Sequence, residues 1–283
     1  MRVRRVAASA VLALAVAVPA RAQKGKAHKS TPPSRTTLPN PVLTLPAATT
    51  GAVPFAWVDD ASILAPGQVS VSISTLLWQG TDLNEVDVPV VGVGLGIANR
   101  VQIGASIPRV VGSSDPTGVE GGLGTTFLSG KVGVLTGTGS GLRLAVAPTL
   151  EILGTGALQG LAPGEGRTQF GLPVSAEVVR NGARVFGSAG YFSSGIWFAG
   201  GGVGGQVTPR IALSAAFSRA WTRDAPAVAG RDRTELSGGA AFSPTHKFSV
   251  FGSLGTTIGT TDENGAGTTV TGGVLFLLAP AAK

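Results

Sequence analysis

The stretch VGVGLGIANRVQIGASIP, residues 91–108, decides the fold class of this chain. On both sides of Asn99-Arg100, apolar residues occupy every second position, and small or polar residues occupy the positions between them. A period of two is the signature of a β-strand, and the polar pair in the middle predicts a tight turn. The stretch therefore predicts two antiparallel strands, each with one apolar face and one face of small or polar residues.

The same alternation recurs along the rest of the chain. It predicts twelve strands, each close to the ~9–11 residues that a tilted strand needs to cross a bilayer. The predicted strands are 68–78, 87–98, 101–111, 124–135, 142–153, 169–180, 184–193, 196–207, 211–222, 233–243, 248–258 and 268–278.

Short and long connections alternate between these strands. The tight ones are 99–100, 181–183, 208–210 and 244–247, and the longer, Gly-rich ones are 79–86, 112–123, 154–168, 223–232 and 259–267. The link at 193–195 is short, although it lies on the long-loop side. Short turns on one side and long loops on the other are typical of outer-membrane barrels. An even number of strands places both ends of the barrel on the short-turn side, which we expect to face the periplasm.

Composition indicates which face points where. The chain has 43 glycines and only 13% charged residues, against roughly 25% in a typical globular domain. A soluble sandwich would need charge on its outer face, but here the second face is mostly Gly, Ser, Ala and Thr. In a membrane barrel the apolar face meets lipid, the small polar face lines the lumen, and closure pairs every backbone group.

We therefore predict an all-β fold, a single antiparallel up-and-down transmembrane β-barrel of twelve strands. A secreted soluble β-solenoid or sandwich is the alternative. The aromatic residues that are candidates for girdles at the membrane interfaces are Trp57, Trp78, Tyr191, Trp197 and Trp221.

The N-terminus has the layout of a secretory signal peptide. Arg2, Arg4 and Arg5 precede an apolar run, residues 6–18, and Ala20-Arg21-Ala22 follows. A basic start, a short apolar run and an A-x-A site predict cleavage after Ala22. The run is shorter than the ~20 residues that a spanning helix needs. Residues 1–22 are thus predicted to direct export to the periplasm and, with the barrel, location in the outer membrane.

Residues 23–66 are predicted to be a basic, Pro-rich periplasmic arm and lead-in to a barrel of residues 67–283. The arm contains six prolines between 32 and 54 and shows no periodicity, which favours a flexible tether. Contact of its basic residues with anionic lipid is the alternative. Of the 22 basic residues, eight precede Val53, which leaves 14 basic against 15 acidic residues in the remainder. The net charge of +7 therefore belongs to the N-terminal segments, and no nucleic-acid partner is predicted.

Five charged residues alternate with apolar neighbours and should point into the lumen. They are Lys131, Arg143, Glu151, Glu177 and Glu235. Three of them, Lys131, Arg143 and Glu177, lie on successive predicted strands toward the same end. We expect a charge cluster that narrows the lumen there, either as a constriction that selects solutes by charge or as a salt-bridge network that fills a narrow barrel.

Other motifs give no support to a catalytic, cofactor or metal site. The run GGGVGG at 200–205 satisfies G-x-G-x-x-G, but no helix follows it, so we interpret its residues as strand glycines. The chain has no cysteine and two histidines, His28 and His246, whereas an outer-membrane enzyme would need a nucleophile and a base that meet. Residues 262–264, Asp-Glu-Asn, offer oxygen ligands for calcium, although a solvated loop is the simpler interpretation.

Two segments, 96–108 and 207–214, resemble a strand–turn–strand unit common in Gram-negative outer-membrane proteins. Over residues 69–278 the chain is similar to the transporter-like barrel family of phenol-degradation (MetA-type) pathways. The resemblance implies a passive or facilitated route for small molecules. The last strand resembles the signal that the barrel-assembly machinery recognises, with Thr271, Gly273, Phe276 and Leu278 at its spacing. Family members usually end on an aromatic residue where this chain has Leu278.

The sequence thus predicts an outer-membrane channel or transporter for small molecules, without enzymatic activity or cofactor. Its predicted partners are outer-membrane lipid, the barrel-assembly machinery and a small solute that the sequence does not specify. The alternative is a structural or adhesive barrel with an occluded lumen and partner-binding loops. The loops are short and rich in Gly, Thr and Asp, which argues against a large binding surface.

Overall fold

The structure is a computed structural model that describes residues 58–80, 84–114, 121–137, 141–155, 167–180, 182–193, 195–222, 233–260 and 266–278. All of them belong to one compact unit, Pro41–Lys283. The predicted signal peptide, the arm up to Trp57 and the Asp-Glu-Asn loop at 262–264 lie outside the described residues. Within the described ranges, no helix is long and apolar enough to cross a membrane.

The described residues form fifteen strand segments, which make twelve barrel strands because three strands are each divided in two. The undivided strands are β1 (Val69–Gly80), β2 (Asn84–Ala98), β3 (Val101–Ser114), β7 (Ala183–Phe192), β8 (Ile196–Thr208), β9 (Ile211–Thr222), β10 (Arg233–Thr245), β11 (Phe248–Thr260) and β12 (Gly267–Leu278). The divided strands are β4 (Gly122–Leu123 and Thr126–Thr136), β5 (Leu142–Val146 and Thr149–Ile152) and β6 (Thr168–Gly171 and Val174–Arg180).

The sheet closes on itself. Each strand pairs antiparallel with the next along the chain, and β12 pairs with β1 from Val69↔Leu278 to Gly80↔Gly267. Closure leaves no unpaired edge strand, which is the condition for a sheet to cross hydrocarbon. The prediction of a single twelve-strand, up-and-down antiparallel barrel is therefore confirmed.

The two ends of the barrel differ, and we name them here. The turn end carries the tight turns at 99–100, 209–210 and 246–247, together with the start of β1 and the end of β12. The loop end is the opposite end, where β1 finishes and β2 begins.

The alternation predicted from sequence separates an outer face from a lumen face. On β1, Ile73 and Leu77 point outward and are 47% and 42% exposed, whereas Ser72 and Ser74 are buried on the lumen side. Strand β9 repeats the pattern, with Phe217 outward and Ser218 inward. Because large apolar side chains cover the outer face, the outer surface suits contact with lipid.

Prolines lie at two of the three breaks in the divided strands. Pro148 and Pro173 lie at the breaks in β5 and β6, and Gly124 lies in the break of β4. A proline has no N–H to donate to a neighbouring strand, so the ladder is interrupted there. The carbonyl groups still accept, as when Pro108 O of β3 bonds to Gly124 N at 3.0 Å. The sequence predicted continuous strands in this region because the alternation continues through the prolines.

The aromatic side chains do not all lie at the outer surface. Tyr191, Trp197 and Trp221 point outward near the loop end, and the rings of Tyr191 and Trp197 are 4.8 Å apart. Trp78 was assigned wrongly, because it faces the lumen and is only 6% exposed. The reason is its position: Trp78 is an even number of residues from Ser72 and Ser74, and residues two apart share a face.

Candidate functional site: the barrel lumen

Residues 58–66, here called the lumen segment, lie inside the barrel. Near the turn end, Leu64 N donates a hydrogen bond to Gln102 Oε1 at 2.9 Å. About halfway along the barrel, Asp59 N donates to Ser188 Oγ at 3.1 Å. From Asp59 to Leu64 the chain therefore runs toward the turn end, where it reverses and enters β1. Sequence analysis had grouped these residues with the periplasmic arm.

Glycines on the lumen face make room for the lumen segment. A side chain at Gly96 would collide with the backbone of Ala65, and a Cβ at Gly200 would lie 2.6 Å from Val58 Cγ2. Gly200 belongs to the GGGVGG run, which lies within β8. These glycines are therefore strand glycines that admit a second piece of chain, which sequence alternation alone does not reveal.

Two carboxylates of the lumen segment pair with cations of the barrel wall. Lys131 Nζ of β4 lies 2.8 Å from Asp59 Oδ2 and 3.8 Å from Asp60 Oδ1. Arg184 Nη1 of β7 lies 2.6 Å from Asp60 Oδ2, and both side chains are buried. Bonds between ionised partners are stronger than neutral ones, so these pairs attach the segment to the wall at two strands, β4 and β7.

The wall itself extends this network. Glu177 of β6 lies between two arginines, with Arg143 Nη1 at 3.5 Å and Arg184 Nη1 at 3.7 Å. We call the six residues the charged layer: Asp59, Asp60, Lys131, Arg143, Glu177 and Arg184. The layer holds three cations and three carboxylates. Its charges are therefore balanced within the protein.

The charged layer contains three of the five charged residues that the sequence singled out: Lys131, Arg143 and Glu177. The other two lie outside it, since Glu151 is buried on the lumen face of β5, and Glu235 lies near the loop end with Arg233 Nη2 at 2.9 Å. Asp59, Asp60 and Arg184 of the charged layer were not among the residues predicted from the sequence. Arg184 shares the parity of Ser188 on β7, which was an available signal, whereas nothing in the sequence places Asp59 and Asp60 inside the barrel.

The two aspartates of the lumen segment are held differently. Burial raises the pKa of Asp59 above its ordinary value, and the attraction of Lys131 only partly offsets this effect. Burial would also raise the pKa of Asp60, but Lys131 and Arg184 together, with hydrogen bonds from Ser62, outweigh it and lower the pKa. Asp60 is thus the more firmly ionised anchor.

Apolar side chains occupy the lumen near the loop end. We call them the apolar layer, and they are Leu76, Trp78, Val90, Phe192, Phe198 and Ala220. They form one connected buried cluster, in which the rings of Phe192 and Phe198 are 5.9 Å apart. Strands β1 and β2 stand opposite β7, β8 and β9 in a twelve-strand barrel. Because the cluster draws on both sides, it bridges the lumen.

The remaining predicted residues have defined places. Thr271 and Gly273 face the lumen on β12, whereas Phe276 and Leu278 point outward, with the Phe276 ring 5.1 Å from that of Phe248. Their role as an assembly signal stays a prediction. His246 is exposed in a turn. Within the described part of the chain, no group of three or more His, Cys, Asp or Glu side chains is arranged to hold a metal ion.

Comparison with known proteins shows the fold. No protein-family model and no curated protein matches this chain. An outer membrane channel from Pseudomonas putida F1 is similar in structure, with a TM-score of 0.60 and 16% identity over 77% of this chain and 98% of the channel. The KdgM porin in complex with disordered oligogalacturonate has a TM-score of 0.53 and 8% identity, over 73% of this chain and 98% of the porin. The NanC porin has a TM-score of 0.52 and 10% identity, with the same coverage.

Proposed function

We propose that this protein is an outer-membrane channel or transporter through which small molecules pass. The observation that carries the proposal is the closed twelve-strand barrel with an apolar outer face and a lumen that, outside the apolar layer, is lined by small, polar and charged residues. An apolar outer face is stable in contact with outer-membrane lipid, and closure satisfies the backbone there. The solved channels and porins of similar fold support this function. Export by residues 1–22 would bring the chain to the membrane.

The charged layer acts to position the lumen segment. Its six charges neutralise each other, and the strongest pairs join the segment to the wall, as with Arg184 and Asp60 at 2.6 Å. A selectivity ring of one sign would leave excess charge for passing ions, and this layer has none. Of the two roles considered for the cluster, the salt-bridge network that narrows the lumen is therefore the one we favour.

The apolar layer sets the character of the solute. A hydrophobic constriction excludes water and hydrated ions more than it excludes solutes with an apolar surface. We infer that the channel favours small, partly apolar molecules over inorganic ions. The resemblance to barrels of phenol-degradation (MetA-type) pathways agrees with that solute class.

The first test is planar-bilayer recording of the protein extracted from outer membranes of cells that express the full gene. We expect small, discrete current steps with little preference between cations and anions, because the charged layer is balanced. Vesicle swelling in the presence of small apolar and small sugar solutes then measures which of the two passes faster. Faster passage of sugars would contradict the role given to the apolar layer.

A structural or adhesive barrel with an occluded lumen is the second candidate. The observation that favours it is the apolar layer, which bridges the lumen as one buried cluster. A protein that inserts into bilayers, conducts no current and produces no swelling with any solute would support this candidate and reject the channel.

A further inference from the structure

Two carboxylates border the apolar layer near the loop end. Glu85 and Asp87 are two residues apart on β2, so both project to the lumen side. Their cross-strand partners on β1 are Trp78 and Leu76, which belong to the apolar layer. Side chains at directly opposed positions have Cβ atoms about 4.5–5.5 Å apart. We call Glu85 and Asp87 the acidic pair, and it lies against an apolar, partly aromatic wall.

The Asp87 carboxylate is buried without a partner. Its side chain is 0% exposed, and neither oxygen has a hydrogen-bond partner among the described residues. Burial of a carboxylate is unfavourable unless a cation or hydrogen-bond donors pair with it. In the charged layer every carboxylate has such a cation. The contrast indicates that Asp87 is a place where a donor from outside the protein binds.

The same end of the lumen already holds a cation in the required surroundings. The guanidinium of Arg233 lies 4.4 Å from the centre of the Trp78 ring, and its Nη2 lies 2.9 Å from Glu235 Oε1. A cation is thus held between an aromatic ring and a carboxylate, an arrangement that is favourable when water is excluded. The acidic pair offers a second carboxylate position next to the same ring.

We propose that the acidic pair and the apolar layer together bind small organic cations, in which a protonated amine is attached to an apolar body. The amine meets Asp87 and Glu85, and the body lies against Trp78 and Leu76. The inference rests on the proposed function, for which it names a solute class. A metal ion fits poorly, because the acidic pair is flanked by apolar side chains and belongs to no group of three or more metal-ligating side chains among the described residues, whereas calcium takes six to eight oxygen ligands.

The test compares three ligands that share a phenyl body and differ in charge. Phenethylamine, phenethyl alcohol and phenylacetate are titrated calorimetrically into the protein extracted from outer membranes, in a nonionic detergent at neutral pH. We expect the amine to bind about ten-fold more tightly than the alcohol, and phenylacetate to bind more weakly than either. Equal binding of amine and alcohol, or tighter binding of phenylacetate, would overturn the proposal.

Variants assign the preference to the acidic pair. Asp87→Asn should bring the binding constant of the amine to that of the alcohol and leave the alcohol unchanged, and Glu85→Gln should reduce the preference in part. The matched control is Glu151→Gln, a buried lumen carboxylate on β5 outside both layers, which should keep the preference. Heat-modifiable gel mobility checks that each variant is folded, and Glu85→Gln carries the test if Asp87→Asn does not fold. A preference that survives in both variants rejects the site.

Three further outcomes separate the possible failures. Calcium chloride that binds to the wild type but not to Asp87→Asn, without any amine preference, would identify a metal site and reject the organic cation. Binding of the amine by a protein that conducts no current and produces no vesicle swelling would reject the channel function and keep the site. Conductance without an amine preference would reject this inference alone.

Discussion

The two halves of the lumen differ in whether their buried carboxylates are paired with cations. In the turn-end half, the charged layer pairs every carboxylate with a cation, and two of those carboxylates come from the lumen segment. In the loop-end half, apolar side chains meet across the lumen, and Asp87 is buried without a partner among the described residues. The same alternating strands build both halves. The period-two pattern therefore determines which side chains face the lumen, but it does not determine which other side chains they contact there.

The largest loss of stability is expected from Arg184→Met, which removes a cation from the charged layer in the turn-end half. Removal of this cation leaves Asp60 and Glu177 with fewer partners in a buried place, so the free energy of unfolding should fall by about 3–5 kcal/mol. The measurement is urea-induced unfolding in lipid vesicles. Because the chain has no cysteine, Ala61→Cys serves as a unique reporter, buried at 4% exposure, that should react with a thiol reagent once the lumen segment is released.

The control for this prediction is Arg143→Met. Its contact with Glu177 is longer, at 3.5 Å, and its side chain is 21% exposed, so the loss should be below about 1 kcal/mol. An equal loss in both variants would show that the charged layer does not attach the lumen segment through Arg184.

Phe198→Ala removes an aromatic ring from the apolar layer in the loop-end half, and it should cause the next largest loss of stability. Phe198 is 4% exposed within the apolar layer, and its truncation should lower the free energy of unfolding by about 3 kcal/mol. It should also raise the single-channel current, because the bridge across the lumen is thinned. Phe217→Ala on the outer face, where the side chain is 48% exposed, is the control and should change the current little. A current that is unchanged in Phe198→Ala would mean that the apolar layer does not limit passage.

Gly200→Ala tests the contact between the lumen segment and the wall at the boundary of the two halves. The added Cβ would lie 2.6 Å from Val58 Cγ2 and 2.8 Å from Phe217 O, and such crowding typically costs about 1–3 kcal/mol. We expect the Ala61→Cys reporter to become more reactive, because the lumen segment is displaced. At the neighbouring Gly201 the nearest atom is Phe186 O at 3.4 Å, so Gly201→Ala should leave the reporter protected. Equal protection in both variants would contradict the contact between Val58 and Gly200.

The smallest effect is expected from acid. Since the pKa of Asp59 is raised, protonation of Asp59 above its ordinary value of 3.8 relieves an unfavourable buried charge and does not release the lumen segment. The pKa of Asp60 is lowered, so its contribution is present above 3.8 and is lost only as pH falls below that value. The Ala61→Cys reporter, probed with a pyridyl disulfide that reacts at acid pH, should stay protected until then. In Asp60→Asn the step should vanish, and release well above pH 3.8 in the wild type would contradict the sign of the shift.

The strands of the barrel could be predicted from the sequence, because each strand has its own alternating pattern of apolar and small or polar residues. The count of twelve strands and the parity of Lys131, Arg143 and Glu177 follow from an alternation that is visible within each strand of about ten residues. The predicted girdle position of Trp78 is wrong, although the alternation in β1 places Trp78 on the same face as Ser72 and Ser74, which is the lumen face. The breaks in β5 and β6 were also readable in principle, since Pro148 and Pro173 cannot donate to a ladder.

The sequence alone predicts the strands of the barrel, its closure and its inward and outward faces, because all of these follow from a local period of two. The content of the lumen emerges only when the chain folds. The lumen segment reaches Lys131 and Arg184 across 71 to 124 residues of chain, the longest separation being that of the hydrogen bond between Arg184 and Asp60. The apolar layer likewise brings side chains of β1 and β2 into contact with side chains of β7, β8 and β9, which do not pair with β1 or β2. Contacts across a lumen depend on the diameter and tilt of the closed barrel, and no local pattern encodes either.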